Sequence, residues 1–392
     1  MRGRAPLYAA GFTTAFGAHG VAATLGTGED AVTSLLVLGA LLAVYDGAEV
    51  VLKPVFGSVA DRVGGRRVLL AGLVVFGLSS LAYVVHDSEL TLWIARVGQG
   101  VGASAFSPAA SALVARLSPP TGHGRAFGTY GFSKSIGYTL GPLLGAVLVA
   151  LGGFELLLGV MGVLAFAVCA WAFVAVPSVA PLPRSRQTLA DLGRRLADPG
   201  FVRPTVALAG STAALAVGVG FLPVLGREAG LGTVVTGAVV SMLALVAALV
   251  QPRIGRALDA GRVRSGPGLA AGLGLTAAGL ACAAIPGVAG IVIAALLIGA
   301  GTGVITPLGF AAIASVAPQE RMGQMMGSAE IGRELGDAGG PLVVAGIATA
   351  ASVAAGFGGL ALLLGVAALV SARGTARAPT PRRADGGGSR GR

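Results

Sequence analysis

The sequence predicts an all-α membrane protein with twelve transmembrane helices in two six-helix, pseudo-symmetric halves. Three observations predict it. Of 392 residues, 54% are hydrophobic and only 11% charged, and the mean hydropathy is +0.83, whereas soluble domains carry about 25% charged residues. Apolar runs recur along the whole chain, and about 20 such residues cross a bilayer. The second half also repeats the first at a nearly constant offset.

The runs fall near 6–26, 31–57, 67–86, 89–117, 126–152 and 154–176, then near 201–222, 233–252, 267–285, 288–316, 325–350 and 352–372. The opening "MRGRAPLYAAGFTTAFGAHG" has the composition of a signal peptide, but the span count needs it as an uncleaved first helix. Loops are short except for "PSVAPLPRSRQTLADLGRRLADPG". The expected organisation is therefore an N-terminal half (1–176), a cytoplasmic linker (177–200), a C-terminal half (201–372) and a Gly/Pro/Arg-rich tail (373–392) expected to be disordered.

Charge gives the orientation. With the N-terminus inside, inner loops hold Arg62, Arg66, Arg67, Arg116, Arg125, Arg184, Arg186, Arg194, Arg195, Arg256, Arg262, Arg264 and Arg321. Outer loops hold Arg227 alone, with the acids Glu29, Asp30, Asp87, Glu89, Glu155 and Glu228. This asymmetry places both termini in the cytoplasm of a multi-pass protein of the cell membrane. It also accounts for the net charge of +11 through contact with anionic lipid, without nucleic acid. Cys169 and Cys282 form no metal or redox motif, and no cofactor or metal is expected.

The repeat is explicit. "PVFGSVAD" (54–61) and "PRIGRALD" (252–259) share P-x-x-G-x-x-x-D at an offset of 198. Beyond them the offset is 199: Gly100, Gly102 and Pro108 match Gly299, Gly301 and Pro307, and Gly137, Gly141 and Pro142 match Gly336, Gly340 and Pro341. Parallel repeats of this kind build alternating-access transporters with the site between the halves.

Three motifs then carry a resemblance. "GSVADRVGGRR", with Gly57, Asp61, Arg62, Gly64 and Arg66, resembles the loop signature of the major facilitator superfamily between its second and third spans. "RVGQGVGA", containing Arg96 and Gln99, resembles its fourth-helix signature, and "GYTLGPLLGA" its fifth-helix antiporter signature, with Ala146 replacing the last glycine. The resemblance covers about residues 6 to 372. It implies the major facilitator fold, with spans 3, 6, 9 and 12 facing lipid, 1, 4, 7 and 10 lining a cavity, and 2, 5, 8 and 11 at the seam. It also implies drug:proton antiport, a proton role for Arg96, a conformational latch at Asp61 and Arg62, and a monomer. The first span departs from the proline-containing pattern of twelve-helix drug exporters.

The cores of spans 3, 6, 9 and 12 hold no Asp, Glu, Lys or Arg. Charges sit instead in span 2 (Asp46, Glu49, Lys53), span 4 (Arg96), span 5 (Lys134) and span 11 (Glu330, Arg333, Glu334, Asp337). On a helix the span-2 trio falls within about 60° and the span-11 quartet within about 100°, so each can face a neighbour. Asp46, roughly 16 Å along the helix from its inner end, is a candidate proton carrier near the midplane. Lys53 and Lys134 are the only two lysines, and a buried lysine can release a proton where arginine cannot. Candidate coupling residues are Asp46, Glu49, Arg96, Lys134, Glu334 and Asp337. The same charges can equally form gate salt bridges that lock one conformation. Gly137, Gly141, Pro142, Gly340 and Pro341 are expected to bend helices and allow close contact across the seam.

Candidate cavity residues are Phe12, Phe16, His19, Tyr45, Gln99, Phe106, Tyr130, Tyr138, Phe221 and Phe310, since aromatic faces suit flat or cationic molecules. The leading reading is a proton-coupled exporter of small amphipathic molecules. Alternatives are an uptake symporter for a metabolite, a transport-dead sensor and a polytopic enzyme. Against the enzyme stand the missing nucleophile motif and metal cluster, and a glycine run, "GAGTGV", that lies mid-helix.

Overall fold

The computed structural model describes residues 3–24, 35–181, 193–194, 196–231 and 233–375. Glu29 and Asp30, most of the linker with Arg184, Arg186 and Arg195, and the tail beyond 375 lie outside the described residues. Every long element described is a helix. The first four are α1 (Ala5–Thr24), α2 (Leu35–Val63), α3 (Gly65–Val85) and α4 (Glu89–Arg116). The next stretch, His123–Ala175, is 53 residues long and too long for one crossing. It breaks at Gly152 and at Gly153, whose φ of 65° is left-handed and open to glycine, giving α5 (123–151) and α6 (154–175). Then follow α7 (Pro199–Glu228), α8 (Thr233–Asp259), α9 (Ser265–Ala283), α10 (Val288–Val316), α11 (Met322–Ala350) and α12 (Val353–Thr375).

The repeat holds down to single turns. One 3₁₀ turn, Pro120–Gly122, leads into α5, and another, Gln319–Arg321, leads into α11 at the same offset. Among the described residues, seven helical stretches are long and apolar enough to cross a membrane by length and composition. They are α3, the α5–α6 stretch, α7, α8, α9, α10 and α12. Helices α1, α2, α4 and α11 hold much of the internal polar and charged inventory, from Thr13 and Thr14 to Arg96 and Glu330.

Helices α2 and α11 pack together, as do α5 and α8, and these are the main contacts joining the halves, with smaller ones between α4 and α11 and between α5 and α10. Within the halves α1 packs on α5 and α7 on α11, while α3 and α9 lie outside α4 and α10. Large apolar side chains stand exposed on the periphery, including Leu78, Val163, Phe173, Leu362 and Val370. That surface suits lipid, where burying an apolar side chain in protein brings no hydrophobic gain.

Close approach at the seam is set by glycines. The Gly323 carbonyl occupies the space a Cβ on Gly57 would need, and the Gly124 carbonyl does the same for Gly255. Gly137, Gly141 and Gly340 behave differently from expectation. Gly137 and Gly141 close on α1 at Phe12, Phe16 and Gly20, and Gly340 closes on α7 at Ala213, so each contact stays within its own half. The reason is geometric: these glycines lie on the face of α5 or α11 turned toward the adjacent first helix of the half, and the seam face belongs to Gly124, Gly128, Gly323 and Gly327. Helices α5 and α11 remain continuous through Pro142 and Pro341.

Candidate functional site

At one end of the bundle two carboxylates clasp the halves together. The Asp61 carboxylate, at the end of α2, accepts hydrogen bonds from the amides of Gly323 (2.8 Å) and Gln324 (2.9 Å) at the start of α11. Asp259, at the end of α8, accepts from Gly124 and Arg125 at the start of α5, both at 2.8 Å. The first amides of a helix lack intrahelical partners and sit at its positive pole, so a carboxylate there is doubly favoured. Arg116 adds an ion pair to Asp61 at 2.8 Å and also donates to the Gln319 carbonyl. Arg62 is exposed. Gly64 (φ 104°) makes the turn into α3. Arg66 donates to the Phe173 carbonyl and lies over that residue's ring, which ties α3 to α6.

Beyond these latches a chamber of about 860 Å³ lies between the halves. Its wall comes from α1, α2, α5, α7, α8 and α11. Helices α4 and α10 contribute no lining residue to it, contrary to the arrangement the family resemblance implied; their Gly-, Ala- and Ser-rich faces are packed behind the wall.

One side of the chamber is charged. Lys53, 1% exposed, sits 2.9 Å from Glu49, 2.5 Å from Glu334 and 3.7 Å from Glu330. Glu330 is buried as well and accepts from Ser107 (2.6 Å) and Ser111 (3.1 Å) of α4. One cation thus joins three carboxylates from two helices of different halves. Asp46 and Asp337 line the same chamber without an ion pair among the described residues, as do Lys134 and Arg333. The candidate coupling residues Asp46, Glu49, Lys134, Glu334 and Asp337 are therefore brought to one cavity. Arg96 is not. It is buried behind α2, stacked 4.4 Å over the Tyr45 ring and bonded to Gln99 (3.3 Å), which in turn donates to Ser80 (2.9 Å).

Of the expected cavity aromatics and their neighbours, His19 and Tyr138 line the chamber, their rings 4.4 Å apart. The rest do not. Phe12 stacks on Phe16, Phe106 meets Phe76 edge-on, Phe310 stacks on Phe127 and Phe221 meets Phe357. Tyr45 and Gln99 serve Arg96, and Tyr130 lies under Lys134. Aromatic pairs gain by packing on each other, which removes them from an open wall. The residues that sequence reasoning passed over are Lys53 as a hub, Glu330 with its two serines, and Gln251, whose amide donates to Ser135 at 2.7 Å. A signal existed for two of them: Lys53 and Gln251 each precede the repeated proline, at Pro54 and Pro252.

A family model described as Major Facilitator Superfamily matches residues 7–267 and 206–391. The chain belongs to that superfamily. It is thus a multi-pass membrane protein of a transporter family. Curated relatives include the puromycin resistance protein pur8 of Streptomyces alboniger, 43% identical over 24% of this chain and 18% of that one. The quinolone resistance protein NorA of Staphylococcus aureus is 28% identical over 33% of this transporter and 34% of NorA. The multidrug resistance protein MdtH of Cronobacter sakazakii is 32% identical over 39% and 38%. The matched segments therefore span well under half of these relatives' length. Among solved structures, the human organic anion transporter MFSD10 superposes with a TM-score of 0.79 at 17% identity, covering 94% of this chain and 99% of that one. The fucose:proton symporter FucP of E. coli gives 0.77 at 13% identity, over 96% and 98%. These two likenesses concern the fold.

Proposed function

We propose that the transporter is a proton-coupled exporter of small amphipathic molecules, crossing the cell membrane twelve times with both termini cytoplasmic and working as a monomer by alternating access. The observation that carries this reading is the seam cluster around Lys53. Lys53, Lys134 and Arg333 on the chamber wall face five acids, Glu49, Glu330, Glu334, Asp46 and Asp337, so the carboxylates outnumber the cations. In a dry seam an uncompensated carboxylate is far more costly as an anion than as the acid. The cluster therefore holds a proton in one conformation and yields it when α2 and α11 part and water enters. The positive-inside distribution makes the latched end cytoplasmic, so the chamber faces out in the state described. The resistance proteins among the relatives support export of drug-like molecules.

The test is flux in proteoliposomes. A lipophilic dye should leave against its gradient only when an inward proton gradient is imposed. Glu334→Gln keeps the shape of the shortest Lys53 contact, and should keep dye binding while losing gradient-driven flux. Gradient-driven flux that survives in a Glu49→Gln, Glu334→Gln double variant, or dye that moves in the same direction as protons, would refute the proposal.

A further inference from the structure

Among the described residues, the charges on the chamber wall sort into those in an ion pair and those outside one. Glu49, Glu334 and Lys53 are held by one another. His19 and Tyr138 face each other. That leaves Lys134 and Arg333 on one hand, and Asp46 and Asp337 on the other.

Lys134 and Arg333 occupy equivalent positions in the two halves, on α5 and α11, at the 199-residue offset. Both are more than nine-tenths buried, and both line the cavity. Neither has a carboxylate within ion-pair distance among the described residues. Lys134 lies over the Tyr130 ring at 5.9 Å and Arg333 over the Phe310 ring at 5.8 Å, so each cation is backed by an aromatic face. The Arg333 Nε is buried with no hydrogen-bond partner, while the rest of the guanidinium hydrogen-bonds Tyr138. Both charges are felt at His19, Glu330 and Glu334, which places them in one neighbourhood. A buried donor with no acceptor is a standing free-energy penalty, and an arriving anion removes it.

Asp46 and Asp337 are more open to the chamber. Asp337 lies four residues beyond Arg333 on α11, so about one helical turn, roughly 6 Å, separates the two levels. A lone anion between Lys134 and Arg333 would enter a cavity that already holds two unpaired acids. A molecule that brings its own cation leaves the net charge unchanged.

We infer that the chamber takes amphipathic zwitterions, with the carboxylate between Lys134 and Arg333 and the cationic nitrogen against Asp46 and Asp337. The inference rests on the reading above that this chamber is the substrate path. It adds a substrate class that the exporter reading leaves open.

Equilibrium binding to the purified full-length protein tests it, with four matched probes: an aminoethyl naphthoic acid, its methyl ester, the ethyl naphthoic acid that lacks the amine, and the ethyl naphthamide that lacks both charges. The zwitterion should bind roughly tenfold more tightly than any of the other three, a difference of about 1.4 kcal/mol. Lys134→Gln and Arg333→Gln should weaken the two acids by a similar factor and leave the ester and the naphthamide unchanged. Lys134→Arg should restore binding. Asp46→Asn should weaken the two amines. The inference is overturned if the four probes bind wild-type protein alike, a ranking that needs no variant to fold. It is also overturned if the glutamine variants weaken the ester and naphthamide as much as the acids. Binding in detergent uses no gradient. Loss of coupled flux with the ranking intact therefore sinks only the exporter reading, and coupled dye flux with no ranking sinks only this one.

Discussion

The two seams of the molecule are built on one plan and differ in charge. Where α2 meets α11, Gly327 accommodates the Lys53 carbonyl; where α8 meets α5, Gly128 accommodates the Gln251 carbonyl. Lys53 and Gln251 are equivalent positions, as are Glu330 and Gly131, and Glu334 and Ser135. Around Lys53 stand three carboxylates, while the Gln251 amide meets the Ser135 hydroxyl and the small Gly131. Glu49 and Asp46 have Ala247 and Ala244 as counterparts. The backbone approach and the acid-capped helix starts are thus common property, needed for two halves to close. The Lys53 hub and its three glutamates are private to one side. The neutral seam shows that closure alone does not require them.

The largest effect should come from removing the hub. Lys53→Met leaves the buried Glu49 and Glu330 and the part-buried Glu334 without their shared cation, a loss of about 3–5 kcal/mol. The melting temperature in detergent should collapse, or the protein should fail to accumulate. Adding Glu49→Gln, Glu330→Gln and Glu334→Gln makes the charged seam resemble the neutral one, and should recover most of that stability while abolishing proton-driven flux. If the quadruple variant stays as unstable as Lys53→Met, the carboxylates hold the seam by more than their bond to Lys53.

Next in size are the crossing glycines, and here the seams should behave alike. Gly57→Val and Gly255→Val each push a side chain onto a carbonyl of the other half. Overpacking of this kind typically costs about 1–3 kcal/mol. Cysteines placed at the latched end should become reactive to a water-soluble thiol reagent in both variants, to similar extents. A response at one seam alone would break the equivalence.

The latches should separate by a smaller amount. Asp61→Asn loses charge both on two helix amides and on Arg116, whereas Asp259→Asn affects two amides only. A carboxylate at a helix start contributes about 0.3–1 kcal/mol, up to about 2 when partly buried. Thiol accessibility at the latched end should therefore rise more in Asp61→Asn than in Asp259→Asn. The smallest change should be Gln251→Leu, about 1 kcal/mol for one neutral hydrogen bond, read as a shift of a few degrees in melting temperature.

Much of the fold was legible because its signals are one-dimensional. Apolar length, loop charge and a repeat tied to prolines are all read along the chain, and the family match and the superpositions agree with the fold that the first and third imply. Internal charges were legible too, since a membrane helix displays them against an apolar background. The neighbour each charge meets was not. Helical spacing put Asp46, Glu49 and Lys53 on one face, but only the packing of α2 on α11 makes Lys53 the shared cation and leaves Asp46 open. Aromatics were the least legible. Phe12 or Phe310 is equally at home in a packed pair, on a chamber wall or in lipid, so residue type says nothing about which. Twelve separate crossings were read where the chain draws α5 and α6 from one glycine-broken helical stretch.

The charges carried by α2 and α11 bear on how the protein is made. A charged residue at the centre of a lone helix opposes insertion by about 2.5–3.5 kcal/mol, and α2 brings three such residues. Lys53 and Glu334 are 281 residues apart. At roughly 5–20 residues per second, the ribosome needs about 15 to 60 s to supply the partner. During that interval α2 has to remain at the membrane surface, be sheltered by a chaperone, or lean on α4 and α3 until the far half arrives. Chains cut short before α11 should therefore leave α2 open to added protease, while α3 is already protected.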